Sequence, residues 1–201
     1  MKTLNQYIKE NLVINQRFDE KLIVNKDYRD NTIVVKSFDE LREIIVDRYD
    51  KLGPGTEQKP IDFNDIDVSN LDSFYSSNID KGIFQGTKFK HIDISDWNVS
   101  NVESMRSMFS WCTELKSVGD ISDWDVSNVT DMSCMFFYCQ LLKSVGDLSG
   151  WNVSKVTDMN RMFCYCENFN QDLSNWDVSN VTNKHGIFFV CSIKNEYKLK
   201  F

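Results

Sequence analysis

Six cysteines, two histidines and 30 acidic residues are the groups of this 201-residue chain that could hold a metal or attack a substrate. Their spacing decides between those chemistries. Cys112, Cys139, Cys166 and Cys191 recur at intervals of 27, 27 and 25 residues, whereas Cys134 and Cys164 fall elsewhere. There is no C-x-x-C pair, and neither His91 nor His185 stands at zinc-ligand spacing, so a zinc site is not expected. The reading adopted is a column of buried thiols packing as small hydrophobes, with disulfides between neighbouring copies as the alternative. A second column is acidic: Asp93, Asp120, Asp147 and Asp172, flanked by Asp96, Asp123, Asp125 and Asp177. Carboxylates stacked one period apart repel unless turn amides or a cation compensate. Turn capping is expected, and a calcium-dependent binding protein is the alternative. The third set is aromatic. Trp111, Tyr138 and Tyr165 each precede a column cysteine, and Phe137 and Phe189 lie beside them. In a line these rings would form a recognition stripe, and the competing reading is that they pack against the adjacent copy.

None of these sets describes an enzyme. No histidine neighbours the Asp and Ser of the columns, and there is neither a glycine-rich phosphate loop nor a G-x-S-x-G elbow. Carboxylates spread along a line do not converge on one reacting atom. No catalytic residue and no cofactor is expected. The Asn-x-Ser/Thr triplets at Asn98, Asn128, Asn152 and Asn180 recur because the sequence repeats, so they are not read as glycosylation sites.

The elements that must position these residues are the copies themselves. WDVSNVTDMSCMFFYCQLLKSVGDLSG, Trp124–Gly150, is preceded by the close copy Trp97–Asp123 and followed by Trp151–Asn175, and a partial copy begins at Trp176. The period lies in the range of stacked repeats, in which residues of one column become neighbours. Val99, Val126 and Val153, Met105, Met132 and Met159, Met108, Met135 and Met162, and Phe109, Phe136 and Phe163 are therefore predicted core ladders. Within a copy, Met132, Met135, Phe136 and Cys139 fall at i, i+3, i+4 and i+7, which predicts a helix of about three turns, N-capped by Asn128. Ser133 is then a polar helix position of no consequence. Lys143–Ser149 predicts a brief extended segment.

Residues 66–96 read as a degenerate first repeat, where Ile66 stands in place of tryptophan, and residues 97–192 as the repeat block. Residues 32–65 supply a cap and linker. Thr32–Val35 is β-prone, and Ser37 with Glu40 opens a capping box before a helical pattern that Gly53-Pro54-Gly55 stops. Residues 1–31 are predicted to hold an amphipathic helix and a polar segment, and 193–201 a closing strand carrying Tyr197, Leu199 and Phe201. The fold expected is an α/β solenoid of four to five coils. The chain carries −7 net charge, and its repeat block 97–183 holds eleven acidic against five basic residues, a poor match for nucleic acid. No stretch could span a bilayer and no signal peptide is visible, leaving location open.

The series Phe-x-x-Cys-x-x-Leu-x-x-Val, present as Phe109, Cys112, Leu115 and Val118 and again from Phe136 to Val145, is similar to the repeat of BspA-like leucine-rich-repeat proteins. Trp124–Phe136, WDVSNVTDMSCMF, resembles the variant abundant in mycoplasma and gut-bacterial surface proteins of unknown function. The resemblance covers about residues 66–191. The third copy departs from it, with Phe169 at the leucine position and two residues fewer before Asp172. It implies a leucine-rich-repeat-like solenoid that binds a protein or glycan through one face as a monomer, with no catalytic residues to carry over. Separately, MKTLNQYIKE looks like the capsid-targeting peptide of internal head proteins of tailed phages, which would imply a virion-associated protein instead.

Overall fold

The computed structural model describes residues 32–143 and 145–201. The helix and the targeting-like peptide expected within residues 1–31 lie outside the described residues. The chain divides into two compact units, 1–34 and 35–201. Of the first, the described part contains the two-residue strand β1, Ile33–Val34.

In the second unit the only long element is helix α1, Phe38–Leu52, and its ends follow from the sequence. Ser37 is extended, and its Oγ accepts from Glu40 N at 3.2 Å, while Glu40 reaches back to Lys36 N at 2.7 Å. Gly53 closes the helix at φ +75, a left-handed conformation that glycine adopts without a Cβ penalty, and donates to Tyr49 O. The apolar face buries Leu41 and Ile45. Arg42 donates to the carbonyls of Ile83 and Gln85, and Tyr49 meets Phe89 edge-on at 5.1 Å, so the helix lies along the first repeat.

The helices expected inside the repeats do not form. From Met132 to Cys139 the backbone is instead a run of tight turns whose amides alternate in direction. Met132, Cys134, Phe136 and Tyr138 donate across to Asp158, Asn160, Met162 and Cys164 of the next repeat at 2.8–3.0 Å. Met135, Phe137 and Cys139 donate inward to the residue three before them. The same alternation recurs from Met105 to Cys112 and from Met159 to Cys166. Two residues per repeat adopt positive φ, Cys134 at 56° and Tyr138 at 61° in this copy. A left-handed L-residue costs roughly 1–2 kcal/mol, and the cross-repeat bonds made only in this geometry offset it. Successive turns of this kind return the chain to one side every third or fourth residue. They therefore reproduce the helical spacing without a helix.

Neighbouring repeats are parallel. Isolated bridges run Ser73 to Ser104 to Asp131 to Asp158 to Asn183. Strand β2, Ile61–Asp62, pairs with the strand Ile92–Asp93, after which Ile94 donates to Val118 O and Ile121 to Val145 O. Between them the first repeat carries the short strand Ile66–Asp67, to which Val35 donates, and an antiparallel pair, Tyr75–Ser76 with Lys81–Gly82. A Cβ on Gly82 would lie 2.0 Å from Ser107 O, so only glycine permits the first and second repeats to approach this closely.

The predicted core columns are buried, except at the end of the thiol column, where Cys191 is only half-buried. Phe84, Phe109, Phe136, Phe163 and Phe188 form one ring ladder with centroids 5.3–6.0 Å apart. Trp124, Trp151 and Trp176 form a second, and the indoles of Trp97, Trp151 and Trp176 donate to carbonyls one repeat back, whereas that of Trp124 has no partner among the described residues. Several finer expectations change. Asn128 caps no helix; its side-chain amide donates to Ser100 O of the preceding repeat at 2.8 Å, as Asn101 and Asn180 do to theirs. Ser133 is buried and accepts from Arg106 Nη1. In place of the closing strand, Asn195–Tyr197 is a 3-10 turn whose Tyr197 carbonyl accepts from Leu173 N, and Phe201 is exposed.

Candidate functional site

The turn geometry decides where the aromatic row goes. Trp111, Tyr138 and Tyr165 occupy the second left-handed position of their repeats, at φ 62°, 61° and 60°, which turns each side chain away from the Met and Phe ladders. Each backbone amide remains tied to the next repeat: Trp111 to Phe137 O, Tyr138 to Cys164 O and Tyr165 to Phe189 O, at 2.7–2.9 Å. The rings stack face to face, Trp111 on Tyr138 at 4.2 Å and 5° and Tyr138 on Tyr165 at 4.2 Å and 20°. Phe137 meets both Trp111 and Tyr138 edge-on, and Phe189 meets Tyr165 in the same way. The five candidate binding residues are thus one cluster. Trp111 is 47% exposed and Phe189 58%, while Phe137, Tyr138 and Tyr165 are half-buried. The rings pack on one another and still face solvent.

A residue absent from the sequence reading completes the description. Gly86 donates to Ser110 O as Trp111 donates to Phe137 O, and Cys112 Sγ donates to Phe84 O as Cys139 Sγ does to Phe109 O. Phe84, Gly86 and Thr87 are therefore the first repeat's counterparts of Phe109, Trp111 and Cys112. Gly86 has φ +71, and a Cβ built there meets nothing within 4 Å. The stack ends at Trp111 for want of a ring in this place, and the outer face of the indole is left open. Aligning Ile83-Phe84-Gln85-Gly86-Thr87 with Met108–Cys112 exposes the correspondence in the sequence.

The thiols have no reactive environment. Cys112, Cys139 and Cys166 are buried and donate to Phe84, Phe109 and Phe136 carbonyls at 2.9–3.1 Å, and all six cysteines are free. Burial pushes the Cys112 thiol up to about 11 and raises Cys139 and Cys166 as well. A buried thiol held protonated in this way is a poor nucleophile.

The carboxylates of the acidic column each close a turn. Asp93, Asp120, Asp147 and Asp172 accept from the amides of Ser95, Ser122, Ser149 and Ser174 at 2.9–3.1 Å. In the parallel row Asp125 and Asp177 hold the same turn that Asn98 and Asn152 hold, so any side-chain oxygen suffices to form the turn and a carboxylate's charge only strengthens the bond. Among the described residues no three His, Cys, Asp or Glu come together as a metal would require. Millimolar calcium is expected to leave the melting temperature within about a degree, since a ligand of the folded state must raise it. A rise of several degrees that Asp147→Asn abolishes would restore the cation reading.

Acid should act on the same turns. The hydrogen bonds from Ser149, Ser174, Ser127 and Ser179 lower the pKa values of Asp147, Asp172, Asp125 and Asp177 from 3.8. Burial works against ionisation of Asp93, yet the bonds from Ser95 and Asn64 together outweigh it. A carboxylate whose pKa falls on folding adds stability above its unfolded value and loses it as pH drops through the folded one. Thermal melts should accordingly change little from about pH 7 to pH 5 and decline gradually below about pH 4. A melting temperature flat down to about pH 3 would show that the turns do not depend on ionised aspartate.

Residues 77–199 match the family described as Mycoplasma protein of unknown function, DUF285. No curated protein and no solved structure matches.

Proposed function

This chain belongs to DUF285, a mycoplasma family of unknown function, and for it we propose a non-enzymatic, BspA-like repeat module that binds a protein or glycan partner through one face of a stacked solenoid. The parallel bridges and ring ladders linking each repeat to the next support the solenoid, with α1 covering the first repeat. The single observation that supports binding is the exposed ring stack ending in the open face of Trp111. Aromatic rings already stacked and tied by their own amides lose little freedom when a partner docks, so the affinity per contact is high.

Trp111 also provides the test. It is the exposed one of five tryptophans, because Trp97, Trp124, Trp151 and Trp176 are buried. Ligand contact at the row should therefore quench the solvent-exposed component of the fluorescence. Screening immobilised glycans and extracellular proteins, the native chain is expected to capture at least one that Trp111→Ala does not, while the variant still melts cooperatively. If the variant captures everything the native chain captures, the row is not the binding face.

A further inference from the structure

One tight turn beyond the aromatic row, where Leu115 donates to Cys112 O and Leu142 to Cys139 O, the chain carries a second column, this one of lysines. Lys90, Lys116 and Lys143 stand one repeat apart; Lys116 N donates to Lys90 O, and the next residues, His91 and Ser117, form a parallel bridge. All three lysines are exposed. Lys90 lies 3.8 Å from Glu114, but Lys116 and Lys143 form no ion pair among the described residues. On a chain of net charge −7 this is an unusual use of positive charge. Ammonium groups held at adjacent-strand spacing, about 4.8 Å between backbones, repel one another until an anion joins them.

The column borders an open cavity of about 520 Å³, within the usual range for small-ligand sites. Lys116 and Lys143 line it together with Ser117, Asn168, His91 and the 40%-exposed Leu141. Burial, and then the charge of Lys116, hold His91 below its ordinary pKa, so it faces the cavity as a neutral donor and acceptor. Two acids also line the cavity, Glu57 and Asp93. Asp93 is already committed: its Oδ1 accepts from the amide and hydroxyl of Ser95 and lies beneath Gly119, where a Cβ would come within 2.5 Å of it. The cavity thus offers two ammonium groups without an ion pair among the described residues, set against the one carboxylate of Glu57, together with one apolar wall. Its neutral partners are the Asn168 carbonyl oxygen, whose amide nitrogen already donates to Gln140 O, and the Ser117 hydroxyl, which accepts from Gly119 N and can still donate. Those are the requirements of a hydroxylated ring bearing an anionic group.

We propose that this cavity binds an anionic sugar unit, carboxylated or sulfated, of a glycan engaged by the neighbouring aromatic row. The inference rests on the binding reading above and narrows its partner to an acidic glycan. Lys116 and Lys143 take the anion, Asn168 and Ser117 the hydroxyls, and Leu141 the C–H face.

The test is a fluorescence and calorimetric titration of the full chain with four probes of matched length: a glucuronate-containing oligosaccharide, a sulfated one, a neutral one and oligoglutamate. At least one anionic sugar should bind about tenfold more tightly than the neutral sugar, and added salt should shrink the difference. The carboxylated and sulfated arms identify which anion the site selects. Lys116→Gln with Lys143→Gln should erase the preference while leaving the neutral sugar's affinity and the melting temperature unchanged, and Lys116→Gln alone should erase part of it. Equal binding of neutral and anionic sugars overturns the charged subsite but leaves the binding module standing. Binding of oligoglutamate without any sugar makes the partner an acidic peptide and overturns the glycan assignment. If no probe binds, both the subsite and the glycan reading of the row fall.

Discussion

Phe136→Ala is expected to destabilise the protein by about 3–5 kcal/mol, the largest effect of any single substitution considered. The ring is fully buried and stacks between Phe109 at 5.3 Å and Phe163 at 5.6 Å. Its removal opens a gap that the neighbours cannot close, because the repeat spacing is set by backbone bonds such as Phe136 N to Met162 O and not by the side chains. The Phe136 carbonyl would keep both its donors, Cys139 N and Cys166 Sγ, so the loss is one of packing and not of hydrogen bonding. For a chain of this size 3–5 kcal/mol corresponds to a fall in melting temperature of roughly 6–20 °C. Phe136→Leu, which refills part of the volume, should cost less than half as much. A melt shifted by only one or two degrees would remove Phe136 from the core and with it the repeat register on which every column depends.

That register was legible in the sequence because repetition converts one residue's environment into a column of similar residues. Val, Met, Phe and Cys recur in step, and the structure buries them in step until the last copy, where Phe188 and Cys191 are only half-buried. Helix α1 was legible for a different reason: Ser37, Glu40 and Gly53 are local signals whose bonds form within a few residues of one another. What failed was the conformation between the columns. The spacing of Met132, Met135, Phe136 and Cys139 fits a helix, and nothing in it distinguishes a helix from consecutive three-residue turns. The distinction lies at Cys134 and Tyr138, two residues in left-handed backbone that carry neither glycine nor asparagine. Their conformation is imposed by amides of the adjacent repeat, a cause that no local window contains. Asn128 was misread on the same ground, since its partner, Ser100 O, lies 28 residues away.

The candidate site divides along similar lines. The aromatic row could be seen from its period, but its stacking and its open end at Gly86 depend on repeats coming together in register. The lysine column is obscured in the sequence because Lys90 lies in the degenerate first repeat and acidic residues outnumber basic ones. The acidic column was visible and correctly suspected of capping turns, as the Ser95, Ser122, Ser149 and Ser174 amides show.

The aromatic row yields the largest functional effect: replacing Trp111, Tyr138 and Tyr165 together with alanine should leave a folded protein whose binding is weakened about hundredfold or more, as expected when central aromatic contacts are lost. The protein should fold because none of the three rings belongs to the buried ladders, and their amide bonds to Phe137, Cys164 and Phe189 survive substitution. Losing the stacking should still cost about 1–3 kcal/mol in all. Backbone and side chain can be separated at Tyr138, where φ is 61°. Glycine tolerates that angle and alanine does not, so Tyr138→Gly should be more stable than Tyr138→Ala by about 1 kcal/mol, even though glycine is ordinarily the more destabilising residue. The two single variants should bind equally poorly, because both lack the ring. Thermal melts and titrations of the four proteins give opposite outcomes for the two roles of the row. If it is structural, the triple variant unfolds or aggregates. If it is the binding face, the triple variant melts cooperatively and no longer binds.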